Sequence, residues 1–249
     1  MATARRASPV TARAFASLAD MRIAVLIAAS VLVGGCSQGM SRDAEQTASS
    51  LSVPTGTIAP DTTTTTTTTT APAAPPEAGA DFADVSRFVE EGAPVEAAAF
   101  HTATREGTAT QLGTDVAFTT PSGTSQCMTD STRSGGALAC LVDLTIPPLQ
   151  PPDIYGQWKG GWVDFAGPSI EIGSAHGDPG RFSSGTGPPL PYGQSLAFGD
   201  YRCRSDEAGL YCVNYANQSA ARFSDAGIVA FGCLQKVTPP PGVGEKYSC

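Results

Sequence analysis

Histidine, tryptophan and closely spaced cysteine pairs are what this chain has least of: two His, two Trp and no CxxC anywhere in its 249 residues. Without CxxC the usual zinc framework is missing, and only His101 and His176 could assist a metal site. No metal or other cofactor is expected. No G-x-x-x-x-G-K loop occurs, so that kind of phosphate cradle is missing too. Positive charge is also short. Of 15 Lys/Arg and 23 Asp/Glu, four and one precede Cys36, leaving 11 and 22 beyond it and a net charge of −11. Nucleic-acid binding, which rests on neutralising phosphates, is disfavoured. So is polybasic attraction to anionic lipid. The apolar run at residues 23–33 is eleven long. A helix of that length covers about half of a ~30 Å bilayer core, too little to span it.

That run has the character of a secretory h-region, preceded by Arg22. It ends in Val33-Gly34-Gly35-Cys36, an aliphatic residue, two small ones and a cysteine, which resembles the lipobox of bacterial lipoproteins. The order suits the chemistry. Small residues let a signal peptidase close on the backbone, and the Cys36 thiol takes a diacylglyceryl group before becoming the new N-terminus. Residues 1–35 therefore read as a lipoprotein signal peptide, with translation starting at Met21. The neighbours of Arg5-Arg6 fit a twin-arginine signal poorly. Several acyl chains hold firmly where one does not. The expected location is the outer face of the cytoplasmic membrane, with the membrane as lipid-anchor partner.

Residues 36–80 read as a linker: nine threonines at 62–70 are followed by APAAPPEAGA, with almost no large apolar side chain. Such a segment cannot offset the entropy of ordering, and Pro and Thr make it an extended stalk, open to O-glycosylation. Residues 81–249 are then one domain, of a size able to bury a sizeable core.

With Cys36 set aside, six cysteines remain, an even number that in an exported chain implies disulfides. YRCRSDEAGLYCVNY places two short strands around a polar turn, so Cys203 faces Cys212. SQCMTDSTRSGGALACLVDL does the same for Cys127 and Cys140. Cys233 and Cys249 are left to pin the TPPPGVG tail to the domain. The hairpins share their approach: GTDVAF at 113–118 and GQSLAF at 193–198 both have a turn glycine opening a strand, and GGWVDF at 160–165 keeps part of the pattern. Further strands are predicted near 138–144, 161–165, 169–173, 194–204, 210–215 and 228–233, between Gly/Pro-rich loops. The expected fold is all-β: a disulfide-stapled β-sandwich or small barrel with two hairpin pseudo-repeats. A short N-terminal helix near 82–91, capped by Asp81, buries Val85, Phe88 and Val89 on one face.

Chemistry is harder to find. Gly193-Gln194-Ser195-Leu196-Ala197 nearly matches G-x-S-x-G, but Ser195 lies in a strand signature rather than a strand–turn–helix elbow. It is expected to be a solvent-facing strand residue. His176-Gly177-Asp178 could form a general-base or metal corner with Asp164 or Glu171, yet no spacing supplies a third ligand. Trp158, Trp162, His176 and Tyr192 are the candidate surface or pocket residues. Tyr155, Phe165 and Tyr201 complete an aromatic set that reads mainly as core.

FTTPSGTSQC, LPYGQSLAFGDYRCRSDEAGLYCVNY and SAARFSDAG, over most of residues 116–233, resemble an actinobacterial family of secreted proteins and lipoproteins, the mycobacterial LppI-like group. The family has no established activity, so the resemblance implies location and fold class and transfers no catalytic residue. Many members carry a further cysteine pair in the central section, and this chain has none between Cys140 and Cys203.

The function expected from these readings is a membrane-anchored, non-enzymatic envelope lipoprotein, monomeric, whose β domain is structural or binds a wall component, small ligand or protein. The alternative is an envelope hydrolase using Ser195 or His176.

Overall fold

The structure, a computed structural model, describes residues 73–176 and 180–249. The signal segment, Cys36, the threonine run and Gly177-Asp178 lie outside the described residues. In chain order the elements are α1 (Phe82–Glu90), β1 (Ala93–Pro94), β2 (Thr102–Arg105), β3 (Thr108–Gln111), β4 (Ala117–Thr119), β5 (Ser125–Thr129), the short α2 (Ser131–Ser134) and β6 (Leu138–Val142). There follow β7 (Trp158–Phe165), β8 (Ser169–Ala175), β9 (Gln194–Phe198), β10 (Tyr201–Asp206), β11 (Gly209–Asn214), β12 (Ser219–Ser224), β13 (Gly227–Gly232), β14 (Gln235–Val237) and β15 (Val243–Ser248). Single 3-10 turns lie at Ala97–Phe100 and Gly180–Ser184.

Two sheets face each other. One runs β1-β9-β10-β11-β12-β13, the other β14-β15-β8-β7-β6-β5-β4, and β2–β3 form a separate hairpin. Neither sheet closes on itself, so of sandwich and barrel the chain adopts the sandwich. Each sheet carries one row of opposed residues facing the shared core. In the seven-stranded sheet the row is Phe118, Cys127, Cys140, Val163 and Ile172. In the six-stranded sheet it is Leu196, Cys203, Cys212, Ala221 and Ala230. These residues, joined by Phe165, Ile170 and Leu210, form the main apolar cluster.

All three disulfides are present: Cys127–Cys140, Cys203–Cys212 and Cys233–Cys249. The first two bridge directly opposed residues whose Cα atoms lie 4.1 and 4.0 Å apart. Such closeness marks the narrow, non-hydrogen-bonded pairs of an antiparallel ladder. Both hairpin units therefore share one plan, three antiparallel strands with a cystine joining the second and third. Gly113 and Gly193 open them at φ 69° and 75°, a region glycine enters without strain. The six-residue sequence echo, however, is offset by two from the structural register. The echo equates Val116 with Leu196, whereas Phe118 is the residue that stands opposite its cystine as Leu196 does. An offset of two keeps every side chain on its face.

Several expectations need adjusting. The strand predicted at 194–204 is two strands, reversing at Gly199 and Asp200. The C-terminal tail is not merely pinned: β15 enters the seven-stranded sheet between β14 and β8. Residues 73–80 are engaged with the fold, since the Tyr211 hydroxyl donates to the Pro76 carbonyl at 3.3 Å.

The outer faces are covered as well. α1 begins at Asp81, whose carboxylate accepts from the Asp84 amide at 2.8 Å. It lays Val85, Phe88 and Val89 over Tyr211, Val213, Ala220 and Phe231 of the six-stranded sheet. Arg204 donates to the Phe88 carbonyl at 2.6 Å and places its guanidinium 3.9 Å from the Phe88 ring centroid. On the other outer face, Ala103 and Phe182 pack on Ala117, Met128, Ala139 and Trp162.

Candidate functional site

Strand parity decides which side chains reach the outer face of the seven-stranded sheet. Cys127, Cys140 and Val163 point inward, so Gln126, Leu141, Trp162 and Asp164 point outward. Trp162 is nonetheless fully buried, because the 180–184 turn and His176 cover it. Its indole stacks on the His176 imidazole with centroids 3.7 Å apart and planes 21° apart, and Phe182 meets it edge-on at 5.3 Å. The indole N–H donates to Asp164 Oδ2 at 2.9 Å. The other carboxylate oxygen lies 2.9 Å from Arg181 Nη1. His176 Nε2 hydrogen-bonds Ser174 Oγ, and its backbone N–H donates to the Gln157 carbonyl.

Burial lowers the His176 pKa from its ordinary 6.5. The nearby Asp164 charge opposes that effect, while Arg181 and Lys159 reinforce it. The ring is therefore held neutral at pH 7, a stacking partner and hydrogen-bonding group rather than a cation. With the folded value below the unfolded one, the unfolded chain binds more protons as the solution is acidified. Stability is thus fully retained above 6.5 and declines as pH falls from there through the folded value. His176→Phe, which keeps a stacking ring without titrating, should flatten that decline. Unfolding midpoints taken from about pH 8 to about pH 5 are the test, and parallel profiles for the two proteins would refute it.

The candidate residues do not converge. Trp162 and His176 meet, but Trp158 donates its indole N–H to the Pro148 carbonyl at 2.9 Å, clasping the proline-rich loop after β6. Tyr192, partly exposed, lies in the loop before β9, and Tyr155 is almost fully exposed. Phe165 and Tyr201 belong to the core. The Tyr201 hydroxyl donates to the Phe165 carbonyl at 2.8 Å, and burial pushes its pKa up to about 12.

Ser195 corrects an expectation. It is buried, not solvent-facing, and its hydroxyl donates to the Gly92 carbonyl at 3.0 Å beneath the end of α1. It shares the α1-covered face of the six-stranded sheet with Arg204, its cross-strand neighbour. His176 sits against the opposite outer face, with both sheets between them. A Ser–His contact does exist, to Ser174 instead, two residues away in sequence. That is the atom pairing of a nucleophile and a base, but the cluster's acid, Asp164, is engaged by Trp162 and Arg181. His101, the other histidine, pairs its Nδ1 with the Asp115 carbonyl at 2.8 Å. Among the described residues no cluster of three His, Cys, Asp or Glu could hold a metal ion.

Beside Trp162 runs a groove that sequence reading missed. One depression of about 290 Å³ is lined by Arg105, Gln126, Leu141, Lys159, Phe182, Gly185 and Thr186. A second, of about 380 Å³, shares Gln126, Leu141 and Lys159 and continues along Thr124, Val142 and Asp143. The groove crosses β5, β6 and β7 under the edge of the β2–β3 hairpin. Its lining combines an apolar floor, amide and hydroxyl groups, Lys159 where the two depressions meet, Arg105 in the first and Asp143 in the second. Comparison with protein-family models, with curated proteins and with solved structures finds no match.

Proposed function

We propose that this chain is an extracytoplasmic lipoprotein, tethered through Cys36, whose β-sandwich is a non-enzymatic module binding an anionic, sugar-sized ligand. The tether reading rests on the lipobox-like Val33-Gly34-Gly35-Cys36, on the resemblance to actinobacterial lipoproteins, and on three disulfides that call for an oxidising compartment. Mass spectrometry of the mature N-terminus checks it directly. An unmodified residue downstream of Cys36 would remove the anchor.

The binding reading is carried by one observation: Arg105 and Lys159 line the same depression. Beyond Cys36 the acids outnumber the cations two to one. Two cationic side chains on one small concavity, Arg105 with Glu106 3.9 Å away and a hydrogen bond to the Ser183 carbonyl, therefore make it more favourable to negative charge than the acidic chain as a whole. The floor of Leu141 and Phe182 offers apolar contact, while Gln126 and Thr186 can hydrogen-bond hydroxyls. The test is a titration of the whole chain with glucuronate and with glucose 6-phosphate, followed by amide chemical shifts. Shifts should centre on Gln126, Leu141 and Thr186, weaken with salt, and require about tenfold more ligand in Arg105→Ala or Lys159→Ala. Failure of both probes to perturb these residues, or equal binding in both variants, would overturn the site.

A further inference from the structure

Two sheets have four edges, and the chain blunts three of them. β1 is two residues long and contains Pro94. β4 is three residues long and is covered by the 188–190 segment, through Thr119 N–H to the Pro188 carbonyl at 3.0 Å and Leu190 N–H to the Thr119 carbonyl at 2.8 Å. β14 is also three residues, carries Lys236, and runs into Thr238 and three prolines. Short length, proline, lysine and a covering segment are the devices by which sheets avoid edge-to-edge pairing. β13 uses none of them. It is six residues, GIVAFG, with no charge and no proline, and every residue is paired with β12 on its inner side.

Its outer side can be assigned from the ladder. Cys203–Cys212 is a narrow pair, and hydrogen-bonded and narrow pairs alternate from strand to strand. Cys212–Ala221 is therefore hydrogen-bonded and Ala221–Ala230 is narrow. The N–H and C=O groups of Ala230 point away from β12, as do those of Ile228 and the N–H of Gly232, where a φ of 71° ends the extended strand. None of these three residues has a further backbone partner among the described residues.

We infer that β13 pairs with β13 of a second copy of this chain, antiparallel about a two-fold axis at Ala230, joining the two six-stranded sheets into one. The strand is self-complementary in that register and in its side chains. The two-fold places Ala230 opposite Ala230 of the second copy, and Ile228 opposite the second copy's Gly232, so on the core-facing side bulk meets a small residue. On the α1 side Val229 stands opposite Phe231 of the second copy, an apolar pair of the sort that stabilises adjacent strands. No charge opposes its like. A two-fold contact of this kind closes on itself, so it yields a dimer and not a fibre. The monomer expected from sequence would leave all these groups to water.

Hydrogen exchange and sedimentation of the chain with its stalk retained, from about 5 µM to about 500 µM, test the pairing. A dimer should form with concentration, and exchange at Ile228 and Ala230 should slow about tenfold in parallel, while Val229 and Phe231 stay protected throughout. Ala230→Pro deletes only an outward N–H, so it should keep the β12 ladder and the three disulfides yet remain monomeric. Rapid exchange at Ile228 and Ala230 in a chain that stays monomeric would overturn the inference. Protection there that is independent of concentration would do the same, by showing that the stalk or another ligand lies on the edge. So would a dimer that persists in Ala230→Pro. Should that variant misfold, the exchange of the unaltered chain still decides.

Discussion

Trp162→Ala is expected to destabilise the domain by about 3–5 kcal/mol, the range for losing a fully buried large aromatic. Trp162 is 0% exposed and is held by three different contacts. His176 stacks on one face, Phe182 abuts it edge-on, and the Asp164 carboxylate accepts its N–H. Its removal opens a cavity beneath the 180–184 turn and releases one lone pair of a carboxylate that also holds Arg181. Neighbouring strands are fixed by their ladders, so collapse to refill the space is limited. For a domain of this size the loss corresponds to a melting temperature lower by roughly 10 °C. A second signature separates this cavity from a general loss of core. Without the indole, the imidazole regains solvent, its pKa rises toward 6.5, and the acid-side decline in stability shrinks. Denaturant unfolding at two pH values measures both. A cost below about 1 kcal/mol would mean that Trp162 is not the keystone of that face.

The second large effect is covalent. Replacing Cys203 and Cys212 together by alanine should cost about 3 kcal/mol from chain entropy alone, and the Cys127–Cys140 pair about the same, with sequence separations of 9 and 13. Both cystines are buried in the two core rows, so lost sulfur packing adds to this. Cys233–Cys249 lies at the exposed end of β13 and β15. Access governs thiol–disulfide exchange, so mild reductant should open Cys233–Cys249 first and leave the core cystines intact. Alkylation followed by peptide mapping reads the order. Simultaneous loss of all three bonds under mild conditions would contradict it.

How much of this was legible in sequence depends on the reach of each interaction. The cystine pairing could be read because each pair encloses a single polar turn, so the information is local. The all-β class followed from short apolar runs between Gly and Pro. β15 escaped because VGEKYS carries charge and follows three prolines, and it is recruited by β8 rather than by its own pattern. Ser195 was misplaced for a related reason. Its strand has one face on the core, but α1, about a hundred residues earlier, covers the other, and no local alternation reports a lid from so far away. The Trp162–His176 stack depends on how β7 aligns with β8, and a shift in their register between Lys159 and Val163 hides that alignment from any count along the chain. The groove is less legible still, since Arg105, Gln126, Lys159 and Thr186 come from four separate segments.

The placement of the cystines also sets how the protein yields under load. A pull applied to the chain ahead of Pro76 enters at Pro76 and α1, while the first covalent loop begins only at Cys127. Residues 73–126, including α1, β1, the β2–β3 hairpin and β4, can therefore peel away and extend with no covalent bond to stop them. At ~3.4 Å per residue that is about 180 Å of slack. The three crosslinked loops would remain folded back on themselves behind it. The domain thus has a breakaway segment on its N-terminal side and a reinforced remainder beyond it; in a chain held through Cys36 as proposed, a sudden drag would be taken up as length before it reached the cystine-locked sheets.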